Sequence, residues 1–178
     1  MTSRTASLTL AVAVLVAALV GCSPIPVPSS EPTPGFSSEA EAFAAAEETY
    51  RAYVDALNRV DLSDPQTFED VYAWTTGELN ASDRKGLTSY HADGASVSGS
   101  SSVQLVELDT ENDDGVTLAV CLDVSAIEVL SSSGESLVDD DRTAVQSLSV
   151  ELAPDDTSPT GLLVQSIGPR AGTPTCTS

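Results

Sequence analysis

Three cysteines, Cys22, Cys121 and Cys176, are the residues of this 178-residue sequence whose positions indicate chemistry. Cys22 follows an apolar run of thirteen residues, 8–20, and one glycine, and a proline-rich stretch begins after it. The run has the length of a secretory signal core and is short for a membrane-spanning helix, which needs about 20 residues. Because a cysteine thiolate is a far stronger nucleophile than a serine hydroxyl, Cys22 is suited to accept a covalent group.

The residues around Cys22 resemble the lipobox of bacterial lipoprotein precursors. The motif reads Leu19-Val20-Gly21-Cys22, and Arg4 supplies a positive charge ahead of the apolar run. The resemblance implies that residues 1–21 are a signal peptide and that the Cys22 sulfur carries a diacylglyceryl group, with palmitate among its acyl chains. Two acyl chains anchor a protein firmly to a lipid bilayer, whereas one anchors it marginally. We therefore expect the extracytoplasmic face of the cell membrane, with an ordinary secretory signal as the alternative.

The other two cysteines are expected to pair if the protein lies outside the membrane. Cys121 falls in a predicted strand, and Cys176 stands 55 residues further on. A disulfide would hold the C-terminal tail on the sheet and contribute about 4 kcal/mol in the chain-entropy treatment. The alternative is one buried free cysteine and one cysteine at a frayed end.

The remaining polar clusters predict no catalytic residue, metal site or cofactor. His91 has no nucleophile motif beside it, so we expect an exposed histidine at a helix end. Residues 109–115 resemble a calcium loop only slightly, because the glycine is seventh instead of sixth and Val120 replaces the glutamate at position twelve. A solvated turn or a charge-protected edge strand accounts for the acidic run at residues 139–141.

Charge and proline content divide the chain and exclude one class of partner. The net charge of −20 would be repelled by phosphate backbones, which excludes nucleic acid as a partner. Five prolines within residues 23–38 cannot join a strand ladder, so we predict a linker over residues 22–38 after the signal peptide. Residues 39–178 are then expected to form a single domain.

The first half of that domain is predicted to be helical. A capping box at residues 38–41 starts a first helix, which should end between residues 58 and 61. Asp64, followed by a proline, predicts a second, short helix. A further capping box at residues 75–78 predicts one or two more helical turns, interrupted near Gly86.

The second half is predicted to form strands over residues 97–108, 116–124, 146–152 and 162–167, with Gly99 marking a bend in the first. Apolar and polar residues alternate most regularly in the second of these strands. Adjacent strands joined by short turns predict an antiparallel meander. Helices followed by strands predict the α+β class.

This order of elements resembles the nuclear-transport-factor-two-like cone superfamily, which includes ketosteroid isomerase. The resemblance implies that a curved antiparallel sheet of about four strands wraps around the N-terminal helices, and a cystatin-like fold is the alternative. Enzymes of the superfamily hold an acid or base and a tyrosine inside a cavity. By residue type alone, the candidates for such a pocket are Tyr50, Tyr53, Tyr72 and Trp74, with Asp55 as a candidate acid. A core role is favoured for Tyr50 and Tyr53.

These observations predict a membrane-anchored lipoprotein whose domain is not an enzyme. The bilayer is its first partner, through Cys22, and an envelope protein or a small apolar ligand is the second. A small cavity enzyme of isomerase or dehydratase type and a structural accessory protein of the cell envelope are the alternatives.

Overall fold

A computed structural model describes residues 35–112 and 114–177, so Cys22, the predicted signal peptide and most of the predicted linker lie outside the described residues. The helices within this range are α1 (Glu39–Leu57), α2 (Phe68–Tyr72) and α3 (Gly77–Ala92). A 3-10 turn at Pro65–Thr67 leads directly into α2. The strands are β1 (Ser96–Ser98), β2 (Ser102–Asn112), β3 (Gly115–Asp123), β4 (Glu128–Leu130), β5 (Val145–Pro154) and β6 (Leu162–Pro169). The predicted α+β class is therefore confirmed.

Helix α1 begins at the predicted cap. The Ser38 hydroxyl accepts a hydrogen bond from the Glu41 backbone N–H at 3.2 Å. The Glu41 carboxylate accepts one from the Ser37 N–H at 2.9 Å, so the cap reaches one residue further back than predicted. The helix ends at Leu57 and packs one face, with Tyr50 at its centre, against β2, β3 and β6.

Strands β2, β3, β5 and β6 form an antiparallel sheet in that order, which is the predicted meander. Strand β2 carries two bulges, at Gln104 and Asp109, where its register against β3 shifts. Bulges bend a strand and change which residues face inward. Val103, Val106 and Leu108 consequently all pack against the core, although their spacing departs from strict alternation.

Three predictions about α3 are wrong. The helix is longer than the one or two turns predicted, since it runs unbroken through Gly86 over 16 residues. A glycine inside a helix costs only about 1 kcal/mol relative to alanine, and the packing of Leu79 and Leu87 against the core offsets that cost. The predicted capping box does not form, since Thr76 makes no capping hydrogen bond through its side chain.

Gly99 divides the first predicted strand into two. Strand β1 leaves the main sheet and pairs with β4 in a two-stranded antiparallel ribbon, where Val97 lies opposite Val129. Gly99 has a φ of +83°, and a Cβ added there would overlap the carbonyl oxygen of Ala126. Only glycine fits this turn, which separates the two sheets.

Cys121 and Cys176 form the predicted disulfide, with their Cα atoms 5.5 Å apart. Cys121 is buried on β3, on the face of the sheet opposite to the helices. The Arg170 guanidinium donates hydrogen bonds to the carbonyls of Thr173 and Pro174, at 2.9 and 2.6 Å, which shapes the tail leading to Cys176.

Candidate functional site

A pocket of about 230 Å³ lies at one end of the main sheet, between the end of α1, helix α3 and the β1–β4 ribbon. We call it the apolar pocket because nine of its twelve lining residues are aliphatic. These nine are Leu57, Val60, Leu62, Leu87, Val97, Leu122, Val124, Ile127 and Val129. Asn58, Tyr90 and Ser101 complete the lining.

Arg142 holds one wall of the apolar pocket in position. Val124 and Ile127 lie in the connection between β3 and β4, and both line the pocket. Arg142 Nη2 donates a hydrogen bond to each of their carbonyl oxygens at 2.9 Å. Hydrogen bonds from a charged donor are stronger than neutral ones. No local pattern in the sequence predicts this role, because Arg142 acts on residues 15 and 18 positions before it in the chain.

The polar residues on the opposite wall bind each other. The Asn58 amide donates to the Ser101 carbonyl at 2.9 Å, and its oxygen accepts from the Ser101 N–H at 2.9 Å and from the Ser101 hydroxyl at 3.0 Å. This pairing joins the end of α1 to the start of β2. It also engages the polar groups of both residues, so they offer little to a ligand.

The lining of the apolar pocket suits binding better than acid–base chemistry. None of its twelve residues is charged. Tyr90, whose hydroxyl is one of the few polar groups of the lining, is 39% exposed. A catalytic cavity needs several polar groups that converge on one point. The geometry therefore favours holding an apolar molecule.

None of the four residues that the sequence offered as pocket candidates lines the apolar pocket. Tyr50 and Tyr53 are buried in the core, with ring centroids 6.4 Å apart. The Tyr50 hydroxyl has no hydrogen-bond partner among the described residues. Trp74 packs against the edge of the core, and its carbonyl accepts from the Val164 N–H at 3.0 Å.

The fourth candidate, Tyr72, lies in a shallow groove between α2 and α3. The Arg84 guanidinium lies 4.0 Å from the centroid of its ring, a cation–π contact. His91 borders the same groove and is exposed, as predicted, with Nδ1 2.7 Å from the Leu62 carbonyl oxygen. Asp55 is exposed on α1, so it is not a cavity acid.

Asp83 has the most strongly perturbed carboxyl group among the described residues, and no pattern in the sequence predicts this. It is half-buried on α3 and accepts a hydrogen bond from the Tyr53 hydroxyl at 3.2 Å. Burial raises the pKa of Asp83 to about 6, although the bond from Tyr53 acts in the opposite direction. Burial, and then the nearby Asp83 charge, raises the pKa of Tyr53. Neither residue lines the apolar pocket.

The sequence matches no family model and no curated protein. Among solved structures, a putative aromatic ring hydroxylase from Novosphingobium aromaticivorans is similar with a TM-score of 0.51 and 11% identity, covering 72% of this chain and 87% of that chain. A periplasmic fragment of TraM has a TM-score of 0.38 and 10% identity, covering 77% of this chain and all of that chain. A de novo designed β-sheet protein has a TM-score of 0.30 and 14% identity, covering 76% and 94%.

At 11% identity, the likeness to the first of these structures concerns the fold alone. None of the helices within residues 35–112 and 114–177 combines the length and apolar character that crossing a bilayer requires.

Proposed function

We propose that this chain is an extracytoplasmic lipoprotein, anchored through Cys22, whose domain holds a small apolar ligand in the apolar pocket. The observation that carries the ligand-binding function is the lining itself: nine aliphatic residues, no charge, and a polar pair that is already hydrogen-bonded. Apolar surface kept exposed in a concave site is a typical feature of ligand pockets.

The lipid anchor is supported by the residues around Cys22 and by the state of the other two cysteines. Disulfides persist in oxidising compartments outside the cytoplasm, and Cys121 is bonded to Cys176. Cys22 is thus the cysteine left for another role. We also propose that the domain belongs to the nuclear-transport-factor-two-like superfamily, and the order of its helices and strands and its likeness in fold to the ring-hydroxylase structure support this.

A cavity enzyme is the second candidate function, and one observation favours it. Asp83 is a carboxyl group whose pKa of about 6 would suit proton transfer, and it is hydrogen-bonded to a tyrosine. Both residues stand outside the apolar pocket, however, so the pocket and the titrating pair do not form one site. For this reason we favour binding over catalysis.

Benzene provides a direct test of the ligand-binding function, because it is small, neutral and apolar. We expect saturable shifts of the Val129 methyl resonances when benzene is added to the Cys22→Ala chain, which lacks the acyl anchor. Filling the pocket with Leu87→Phe should weaken binding about tenfold, the equivalent of about two buried methylenes. Leu137→Phe is the matched control, since Leu137 is 45% exposed and does not line the pocket. Unshifted Val129 resonances would contradict the binding function.

The anchor is tested separately by membrane fractionation and intact mass. We expect the natural chain to lose residues 1–21, to gain a diacylglyceryl group and to sediment with membranes. Cys22→Ala should appear in the soluble fraction, whereas Cys176→Ala should stay with the membranes. A natural chain that keeps Met1 and an unmodified Cys22 would overturn this half of the proposal.

A further inference from the structure

We propose that the ligand of the apolar pocket is an unbranched alkyl chain of about eight to nine carbons, attached to a head group without a net negative charge. This inference rests on the proposed binding function and adds the class of ligand. Three properties of the pocket carry it: volume, lining and charge.

The volume of the pocket limits the size of the occupant. A protein cavity of about 150 Å³ lined by aliphatic and aromatic residues holds benzene, which has six carbons. In proportion, a pocket of about 230 Å³ takes on the order of nine carbons. Pockets for drug-sized, polycyclic molecules are larger, roughly 300–1,000 Å³. A multi-ring ligand would therefore exceed the volume of the pocket.

The lining favours a flexible chain over a flat ring. The walls come from Leu57 on α1, Leu87 on α3 and Val129 on β4, together with other aliphatic side chains. Tyr90 is the single aromatic residue among them, so a flat aromatic ligand would lack ring faces to stack on. Each methylene of a chain, by contrast, gains by leaving water for an aliphatic wall.

Charge complementarity excludes an anionic head group. No lysine or arginine is among the twelve lining residues, and the Asn58 amide is engaged by Ser101. Burying a carboxylate without a partner is strongly unfavourable. A carboxylate left at the mouth would face a chain with a net charge of −20. A neutral or cationic head group in the solvent at the mouth meets neither obstacle.

A series of straight-chain alcohols tests the proposal on the Cys22→Ala chain, with the Val129 methyl resonances as the readout. From 1-butanol through 1-hexanol to 1-octanol, the affinity should rise about fourfold per added methylene. From 1-octanol to 1-decanol it should level off, because the pocket is then full. The affinity for octanoate should be lower than that for 1-octanol by a factor of at least about ten. Leu87→Phe should move the plateau to a shorter alcohol, whereas Leu137→Phe should not.

The outcomes separate this inference from the function on which it rests. If benzene binds but octanoate binds with the same affinity as 1-octanol, the alkyl-chain proposal is wrong and apolar binding stands. The same holds if progesterone, a multi-ring apolar molecule, binds more tightly than 1-octanol. If the affinity for alcohols does not depend on chain length, the alkyl-chain proposal is also wrong. If neither benzene nor any alcohol shifts the Val129 resonances, both proposals fall.

A free alkyl compound and an acyl chain of a membrane lipid would offer the pocket the same chemistry. Phosphatidylcholine vesicles, whose head group has no net charge, distinguish the two sources. Vesicles that shift the Val129 resonances to the positions seen with 1-octanol support the proposal with a membrane lipid as the source. Vesicles without effect, beside saturable binding of 1-octanol, support it with a free alkyl compound as the source.

Discussion

The hydroxyl of Tyr53 on α1 donates a hydrogen bond to the carboxylate of Asp83 on α3, with 3.2 Å between the two oxygens. The bond links α1, which packs against the main sheet, to α3, which forms one wall of the apolar pocket. Asp83 is half-buried in this position, and burial raises its pKa from 3.8 to about 6. The folded chain therefore binds a proton more tightly at Asp83 than the unfolded chain does.

Replacing Asp83 by asparagine should stabilise the protein near neutral pH. Because the folded-state pKa of Asp83 is the higher one, its contribution to stability is fully present below pH 3.8 and is lost as the pH rises through about 6. We expect Asp83→Asn to raise the free energy of unfolding by about 1–2 kcal/mol at neutral pH, less than the full shift because the side chain is partly solvated. Urea unfolding of both chains as a function of pH measures this gain in the free energy of unfolding.

The gain from Asp83→Asn should disappear at acidic pH, where the natural carboxyl is protonated as well. Asp55→Asn, an exposed position on α1, is the control and should lack this pH-dependent gain. A gain in stability from Asp83→Asn that does not change with pH would contradict the raised pKa of Asp83.

Removal of the Arg142 guanidinium should loosen the wall of the apolar pocket. Arg142→Ala leaves the carbonyls of Val124 and Ile127 without their charged donor, and we expect a loss of about 2 kcal/mol in the free energy of unfolding. Amide hydrogen exchange should accelerate in residues 124–130. Arg59→Ala is the comparison, because Arg59 is exposed. Equal effects of the two variants would show that Arg142 does not hold the wall.

The disulfide should contribute a large share of the stability. Cys121 and Cys176 close a loop of 55 residues, for which the chain-entropy treatment gives about 4 kcal/mol. We expect Cys176→Ser to lower the free energy of unfolding by about 2–4 kcal/mol. Addition of a reductant should lower the thermal midpoint of the natural chain but not that of Cys176→Ser. A natural chain whose thermal midpoint does not change when reductant is added would contradict the pairing of Cys121 with Cys176.

Replacing Gly99 and Gly86 by alanine should change the stability of the protein in opposite directions. Gly99→Ala places a Cβ against the Ala126 carbonyl at a positive φ, so we expect a loss of about 2 kcal/mol or more. Gly86 lies inside α3 with nothing within 4 Å of an added Cβ, so Gly86→Ala should gain about 1 kcal/mol. Thermal unfolding measures both variants. A destabilised Gly86→Ala would contradict the continuous helix, and an unaffected Gly99→Ala would contradict the tight turn.

The sequence predicts those parts of the fold that local patterns determine. Alternation at Val116, Leu118 and Val120 identifies β3 and its inward face, which the structure buries. Ser38 and Asp64 cap the helical segments as predicted. Each of these signals lies within a few residues along the chain.

The sequence does not predict features that depend on contacts between distant segments. The bulge at Gln104 changes which residues of β2 face inward. The separate β1–β4 ribbon depends on the close approach of Gly99 to the Ala126 carbonyl. The apolar pocket was not predicted, because its lining comes from five elements (α1, α3, β1, β3 and β4) and from the loops that connect them. Residue type offered four aromatic residues as pocket candidates, and none of them lines the pocket; the core role favoured for Tyr50 and Tyr53 is confirmed.

Crystals pressurised with xenon test the central claim, an apolar pocket open to a ligand, most directly. Xenon enters apolar cavities and is not held by polar, hydrated ones. We predict a xenon atom among Leu57, Leu87 and Val129 in the natural chain and none there in Leu87→Phe. Ordered water molecules at that position, with no xenon, would contradict the account.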